Sequence, residues 1–403
     1  PSCPPAAHAS PPPRSSPPRV RIHSHSAPRM QPTRYPVCNT PPAPLSVHLP
    51  PPIHGAAMMG KYIYDSRIIN EAFDCSYINL TLAKNIQDIG KGGFKKFVNF
   101  IFQLQQIYKE VKFHHPDICY VTPNAKGGAF YKDYVVVMML KVMGQKVVVH
   151  YHNKGVATRQ NRILDNWLYQ HFFKKLKVIL LAQPLYQDIC KYVKVKDVYF
   201  CPNGIPVQQN IPDCINHEGF NILFLSNMMK AKGVWDLVEA CRILKEKRKQ
   251  FHCHFVGKWS DISEEEFQHK IRQLNMENCI SAYGGKYGNE KEAYFQKANV
   301  FVLPTHNECF PLVLLEAMEQ GLPCISTQEG GISAIIDEGK TGYVIKKQSP
   351  KDLAEKIEIL MEQPALCKAM GIAGKEKLNR EFTLQKFEYK LKDILQEISN
   401  SRN

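Results

Sequence analysis

The sequence predicts an α/β fold of two doubly wound parallel-sheet domains facing across a cleft. Three observations predict it. Short apolar runs alternate with helical segments from residue 45 onward, the pattern of parallel strands buried on both faces. The alternation breaks once, at Pro202-Asn203-Gly204-Ile205-Pro206 and the polar stretch leading to Gly219, then restarts. The chain has 403 residues, 44% hydrophobic and 22% charged, which suits two cores and an ordinary globular composition.

Residues 1–52 hold 17 of the 28 prolines. Proline removes backbone donors and blocks helix, so residues 1–44 read as a Pro-rich disordered leader or artefact outside the fold. No apolar segment of a secretory signal occurs there.

The first domain, residues 45–213, opens with strand Leu45–Leu49, a turn over Pro50–Ala57 and a helix near Gly60–Phe73. A long basic amphipathic helix follows near Phe94–Lys112. Then come strand Ile118–Val121, helix Tyr131–Met143, strand Lys146–Tyr151, helix Gln160–Phe173, strand Val178–Ala182, helix Pro184–Tyr192 and strand Val198–Cys201. Pro184 suits a first helical turn because its φ is already set.

The second domain, residues 214–382, reads as strand Asn221–Leu225, helix Gly233–Lys247, strand Phe251–Val256, helix Glu264–Leu274 and strand Cys279–Ala282. Helix Asn289–Lys297, strand Val300–Leu303, helix Pro311–Glu319, strand Pro323–Ser326 and helix Pro350–Met361 complete it. Residues 383–403 read as a C-terminal helix, Leu384–Ile398. In such folds ligands bind at the carboxyl ends of the strands, in the cleft between the domains.

Several classes are excluded. The most apolar stretch, Tyr134 to His150, is broken by Lys141 and by Gly144-Gln145-Lys146, so it does not span a membrane. Thirteen cysteines form no C-x-x-C pair, unlike a disulfide framework or a zinc ribbon. Cys119, Cys253 and Cys324 sit in apolar runs as small core residues, which points to a reducing, cytoplasmic setting. The net charge is +15, but it is uneven: residues 1–44 carry +5, residues 45–213 carry +10 and residues 214–403 carry zero. One half should therefore face an anionic partner.

Two stretches carry the chemistry. In Leu303-Pro304-Thr305-His306-Asn307-Glu308-Cys309-Phe310-Pro311-Leu312, a strand ends, a loop carries Glu308 and a helix starts; Glu316 lies further along that helix. A helix N-terminus offers amide donors to a diphosphate, whereas carboxylates accept hydrogen bonds from sugar hydroxyls. Glu308 then reads a hexose and Glu316 a ribose, with the phosphates at the Phe310-Pro311-Leu312 turn between them. In Phe224-Leu225-Ser226-Asn227-Met228-Met229-Lys230-Ala231-Lys232-Gly233, Lys232 precedes the next helix, able to neutralise a leaving diphosphate. A solvated helix-flanking pair and an ordinary surface lysine are the competing readings.

Together these stretches resemble the retaining, nucleotide-sugar-dependent glycosyltransferases of family four, which have the GT-B fold. The resemblance extends over residues 45–400. It includes Ile53-His54-Gly55-Ala56, Pro202-Asn203-Gly204-Ile205, Gly330-Gly331-Ile332 and Asp337-Glu338-Gly339-Lys340-Thr341-Gly342. It implies a C-terminal domain that binds the donor, an N-terminal domain that takes a glycan or lipid-linked acceptor, and a final helix crossing back to the N-terminal domain. It also implies donor contacts at Gly55, Ala56 and Asn227, and no cofactor, since the nucleotide-sugar is a substrate. Asn227 stands where the family usually has arginine, so a cation is lost from the diphosphate site. Ser333 replaces a common proline.

In Val147-Val148-Val149-His150-Tyr151-His152-Asn153, residues 150 and 152 share one face at a strand's carboxyl end. The family places a histidine beside the donor sugar; His152 matches it, with His150 the alternative. A His-x-His metal site is the rival reading, but there is no D-x-D triplet, so no metal is expected. His252-x-His254 reads as packing.

Lys91, Lys95, Lys96, Lys109 and Lys112 flank Phe94, Phe97, Phe100, Ile101, Leu104 and Tyr108, as in a helix that lies on an anionic membrane surface. The plainer reading turns the aromatics to the core and the lysines to water. The resulting expectation is a retaining hexosyltransferase of cell-surface polysaccharide synthesis, cytoplasmic or peripheral on the membrane's inner face. Glu308, Lys232 and His152 would be catalytic. The alternatives are a GT-B epimerase, or a catalytically weakened GT-B protein acting as a binding partner. Nucleic acid would explain the charge but not the donor-site pattern.

Overall fold

The computed structural model describes residues 42–48, 50, 55–80, 94–208 and 219–401. Leu49, Ile53, His54, Lys91, the Pro-rich start to residue 41 and residues 209–218 of the expected domain boundary lie outside them.

Two six-stranded parallel sheets form the frame. The first comprises β1 (Pro42–Val47), β2 (Asp74–Asn79), β3 (Cys119–Val121), β4 (Val147–Tyr151), β5 (Lys177–Leu180) and β6 (Val198–Phe200) in the order β2-β1-β3-β4-β5-β6. The second comprises β7 (Phe220–Leu225), β8 (Phe251–Val256), β9 (Ile280–Ala282), β10 (Val300–Leu303), β11 (Cys324–Thr327) and β12 (Gly342–Ile345) in the order β12-β11-β10-β7-β8-β9. Central strands such as β4 and β10 are buried along their whole length, which is why they read as unbroken Val/Ile/Leu runs.

The strand order reverses between β1 and β3 in the first sheet and between β7 and β10 in the second. At such a reversal the following loops diverge to opposite faces and open a crevice at the carboxyl ends of the strands. The loops after β7 and β10 carry Lys232 and Glu308. Topology therefore brings together two segments distant in sequence.

The helices covering the first sheet are α1 (Gly55–Asp65), α2 (Arg67–Ala72), α3 (Phe94–His114), α4 (Gly127–Val142) and α5 (Ile163–Phe173). Those of the second are α6 (Val234–Glu246), α7 (Glu264–Gln273), α8 (Asn289–Lys297), α9 (Leu312–Glu319), α10 (Ile332–Ile335), α11 (Pro350–Glu362) and α12 (Pro364–Glu381). The last, α13 (Leu384–Asn400), presents Phe387, Leu391, Ile394, Leu395 and Ile398 at helical spacing to Leu45, Val47, Tyr120 and Val148 of the first sheet. Its start is held by Thr383, whose hydroxyl accepts from the Lys386 amide at 3.3 Å. The chain's two crossings between the sheets run side by side: the Ile205 amide donates to Phe382 O at 3.0 Å, and the Leu384 amide to Ile205 O at 2.7 Å.

Several expected boundaries move. β1 begins at Pro42, inside the stretch excluded as leader; Pro42 and Pro44 are paired there only with β2, so their missing amides do not interrupt the β3 ladder. The expected Pro50–Ala57 turn already contains α1 from Gly55, and the expected Gly60–Phe73 helix breaks at Ser66. Ser66 Oγ accepts from the Ile69 amide at 3.2 Å and caps α2. The segment expected as helix Pro184–Tyr192 is a 3₁₀ helix over Gln183–Asp188. Among the described residues, two strands and two α-helices lie outside the expected elements: β2, β12, α10 and α12.

Candidate active site

The loops after β7 and β10 are joined by several bonds. β7 is followed by a 3₁₀ turn, Lys230–Lys232, and then Gly233 at φ +75°. A Cβ on Gly233 would stand 2.0 Å from the Pro304 carbonyl oxygen, so only glycine lets this turn pack on the end of β10. The His306 amide donates to Ala231 O at 2.8 Å, and its ring pairs with the Asp236 carboxylate of α6. The result is a direct ion pair: Lys232 Nζ donates to Glu308 Oε2 at 2.8 Å, with both side chains about one-fifth exposed (18% and 22%).

The Glu308 loop is backed by Gly330 at φ +58°, where a Cβ would stand 2.3 Å from Glu308 O. The Gly331 amide donates to Cys309 O at 2.7 Å. Phe310 is buried, edge-on to Phe382 with centroids 5.8 Å apart. Pro311 is the N-cap of α9, without a side-chain capping bond, and the Leu314 amide donates to Pro311 O at 3.2 Å. Leu312 packs into the apolar clusters of both sheets.

Glu316, further along α9, pairs with Lys291 of α8 at 2.9 Å. The two glutamates therefore sit in separate ion pairs. Tyr62 of α1 lies within reach of the Glu316 charge; burial and then the charges of Glu316 and Glu319 push its hydroxyl up. Burial likewise raises Glu319, which accepts from the Gln208 amide at 2.7 Å. Gly55 and Ala56 open α1 on this side, with Gly55 exposed. Asn227 follows β7, between the Ser226 amide on Val256 O (3.0 Å) and the Met228 amide on Lys258 O (2.8 Å).

The two histidines separate clearly. Their rings lie 4.2 Å apart between centroids, so they do share a face. His150 is fully buried, bonds Tyr120 Oη through Nδ1 at 2.8 Å and stacks on Phe387 of α13. Burial pushes its imidazole well below the ordinary range, so it stays neutral, as a core residue does. His152 lies beyond the carboxyl end of β4 and is half-buried. His252 and His254 bond Ser281, Tyr283 and Asn221 across their sheet, as packing residues. No group of three or more His, Cys, Asp or Glu side chains arranged to hold a metal occurs among the described residues.

Sequence reasoning missed Lys291, Tyr62, the His306–Asp236 pair and a lysine group around Glu329. Glu329 is buried and pairs with both Lys154, from the loop after β4, and Lys347, at 2.7 Å. Only the position of Glu329 directly before Gly330-Gly331, and of Lys154 directly after His152-Asn153, hinted at them.

Residues 212–377 match the family model of glycosyl transferases group 1. That span contains Asn227, Lys232, Glu308 and Glu316, but not Gly55, Ala56 or His152. The amylovoran biosynthesis glycosyltransferase AmsK of Erwinia amylovora is 25% identical over 64% of this chain and 66% of its own length. The D-inositol 3-phosphate glycosyltransferase of Arthrobacter sp. (strain FB24) is 30% identical over 38% of this chain and 37% of its own. The chain thus spans between roughly a third and two-thirds of the length of these curated relatives. The solved structure of Anabaena HepE in complex with UDP is 13% identical, with a TM-score of 0.68 over 89% of this chain and all of that one. The fold is GT-B, and the resemblance to GT-B glycosyltransferases holds in sequence as well as in architecture.

Proposed function

We propose that this protein is a retaining glycosyltransferase that moves a hexose from a nucleotide-sugar donor to a glycan or lipid-linked acceptor in polysaccharide synthesis. One observation carries the reading: the Lys232–Glu308 pair stands at the strand-order reversal of the second sheet, within the region matching group 1 glycosyl transferases. Amylovoran synthesis in the name of AmsK, and UDP in the HepE structure, support the substrate classes.

In this reading the donor's diphosphate draws Lys232 away from Glu308 and rests against it and the amide end of α9. A sugar hydroxyl then replaces Lys232 on Glu308, and the ribose hydroxyls take the place of Lys291 on Glu316. His152 faces the sugar from the opposite wall. The sugar–phosphate bond breaks as the acceptor hydroxyl attacks on the same face and passes its proton to the departing diphosphate, so stabilising that diphosphate lowers the barrier directly. Closure of the cleft excludes water and limits donor hydrolysis. No cofactor takes part, because the nucleotide-sugar is itself the activated reactant.

A panel of nucleotide-sugars, scored for nucleotide release with and without lipid-linked acceptors, tests this. Release that one donor supports and an acceptor accelerates is the expected result. Asn227, which removes a cation from the diphosphate site, favours a second reading: a weakened GT-B protein acting as a binding partner. Donor binding without turnover would select it, and isomerisation of the sugar without transfer would select an epimerase.

A peripheral position on the cytoplasmic membrane face fits α3. Among its described side chains, Ile107 and Val111 are buried, but Phe102 and Phe113 are 64% and 74% exposed. Of the residues that the plainer reading turns to the core, Phe100 and Leu104 do pack there, while Ile101 and Tyr108 stay partly exposed. Large exposed apolar groups on a domain carrying +10 suit an anionic bilayer. No helix among the described residues is long and apolar enough to cross one. Charge reversal of Lys91, Lys95 and Lys96 to glutamate should release the protein from anionic vesicles, since each lysine at such a surface contributes about 1 kcal/mol. Co-sedimentation at two salt concentrations measures it. Salt-insensitive binding, or equal retention of the variant, would leave α3 an ordinary solvated helix.

A further inference from the structure

We propose that Lys126, Lys154 and Lys347 form an anion subsite in the cleft, beside the Glu308–Cys309 loop, that takes an acidic substituent of the acceptor. The proposal rests on the glycosyltransferase reading and names the chemistry of its acceptor.

The three lysines come from three separate segments: the loop after β3, the loop after β4 and the chain following β12. Two of these loops are braced against each other. Asn153 Oδ1 accepts from the Ala125 amide at 2.7 Å, and Asn153 Nδ2 donates to Pro123 O at 3.2 Å. Asp188 accepts from the amides of Gly155, Val156 and Ala157 at 2.8 to 3.0 Å, which fixes the turn after Lys154. Lys126 lies directly over that turn: its Nζ is 3.1 Å from where a Cβ on Gly155 would stand, and Gly155 takes φ +137°. This is a positioned pair of cations, not two loose surface chains.

Two acids accompany the lysines: Glu329, 7% exposed in its side chain and paired with both Lys154 and Lys347, and Asp188, whose charge acts on Lys154. Either lysine alone keeps the buried Glu329 carboxylate compensated, so the other is available to an incoming anion. The crowding has a visible electrostatic effect: burial lowers the Lys154 ammonium, Asp188 opposes this, and Lys347 and Lys126 lower it further. A bound anion would relieve that repulsion.

The location decides what the anion belongs to. Glu329 precedes Gly330, which packs on the Glu308 carbonyl, so the group adjoins the loop assigned to the donor sugar. The donor's diphosphate is already allotted to Lys232 and the amide end of α9. Two of the three lysines lie in the domain of residues 45–213, where the +10 excess is concentrated. A second anion beside the sugar, facing the first sheet, is an acceptor group: a carboxylate or a phosphate.

The full-length protein is titrated with glucose, glucuronate and glucose 6-phosphate, with and without saturating UDP, by calorimetry. At least one acidic sugar should bind ten times or more tighter than glucose, and should do so with UDP present. The glucuronate and glucose 6-phosphate arms distinguish carboxylate from phosphate. In the Lys126→Gln/Lys154→Gln double variant the preference for the acidic sugar should fall to about one. Should that variant melt early, Lys126→Gln alone, at an exposed position, should reduce the preference at least threefold. Equal affinity for all three sugars, an undiminished preference in the variants, or displacement of the acidic sugar by UDP would each overturn the subsite. Donor turnover by the wild type is scored separately. Lysine-dependent binding of acidic sugars without turnover of any donor would sink the transferase reading and keep the subsite, and turnover without acid preference would do the reverse.

Discussion

Replacing Lys232 by alanine lowers nucleotide release by about a hundredfold or more, the cost of removing one preorganised donor to a developing negative charge. Lys232 should bear more of this burden than it would with an arginine at position 227, because Asn227 supplies no positive charge. The Lys232–Glu308 pair is only about one-fifth exposed, so removing the lysine alone leaves a largely buried carboxylate uncompensated and also costs stability. Turnover is therefore compared at a temperature below the melting transition of both proteins, so that the catalytic loss is read apart from the structural one. Steady-state nucleotide release with the donor identified by the panel measures the effect. An active Lys232→Ala protein would mean that the leaving group is stabilised elsewhere.

The two glutamates should separate by what their loss affects. Glu316→Ala should weaken nucleoside diphosphate binding by about tenfold or more, whereas Glu308→Ala should mainly lower turnover. A hydrogen bond to a charged group contributes about 1.5–3 kcal/mol, which sets the size of both effects. Lys291 adds a useful control, because it donates to Glu316 at 2.9 Å. Glu316→Gln keeps an acceptor for the ribose but abolishes the ion pair, so its affinity should lie between wild type and alanine. Calorimetric titration of the nucleoside diphosphate reads both variants. Unchanged affinity in Glu316→Ala would remove its ribose role, and loss of affinity in Glu308→Ala equal to that of Glu316→Ala would remove the division between them.

Some of this was legible in the residues because it is local. A central strand buried on both faces is rich in apolar residues, and β4 and β10 are legible as such runs. Edge strands carry no such demand. β2, Asp74–Asn79, is half-exposed and polar at several positions, and β12 lies within a Gly-containing turn motif, so neither had a distinctive pattern. α12 lacks a clean apolar stripe because two of its packing positions are Gly371, which lets the helix approach the turn at Gly321 closely, and Gly374, which packs on Met318. Spacing alone does not separate His152 from His150; the Tyr120 bond and the Phe387 stack supply a physical reason for treating His150 as core.

By itself, the sequence determined the two doubly wound domains, because each buried strand and amphipathic helix carries its own local pattern, and it determined the loop-then-helix setting of Glu308 and Glu316 and the placing of Lys232 at a helix mouth, because each of these lies in one short contiguous stretch. Only the tertiary structure decided which of these meet. In a parallel sheet every neighbour is reached through a crossover, so strand order is set by how the apolar faces of distant segments fit, and no local pattern records it. That order put β7 beside β10 and joined Lys232 to Glu308. It also turned the loop after β4 toward the second sheet, where Lys154 and Lys347 converge on one buried glutamate. Charges far apart in the chain that share a partner are invisible to spacing, because what unites them is the packing of both sheets around the cleft.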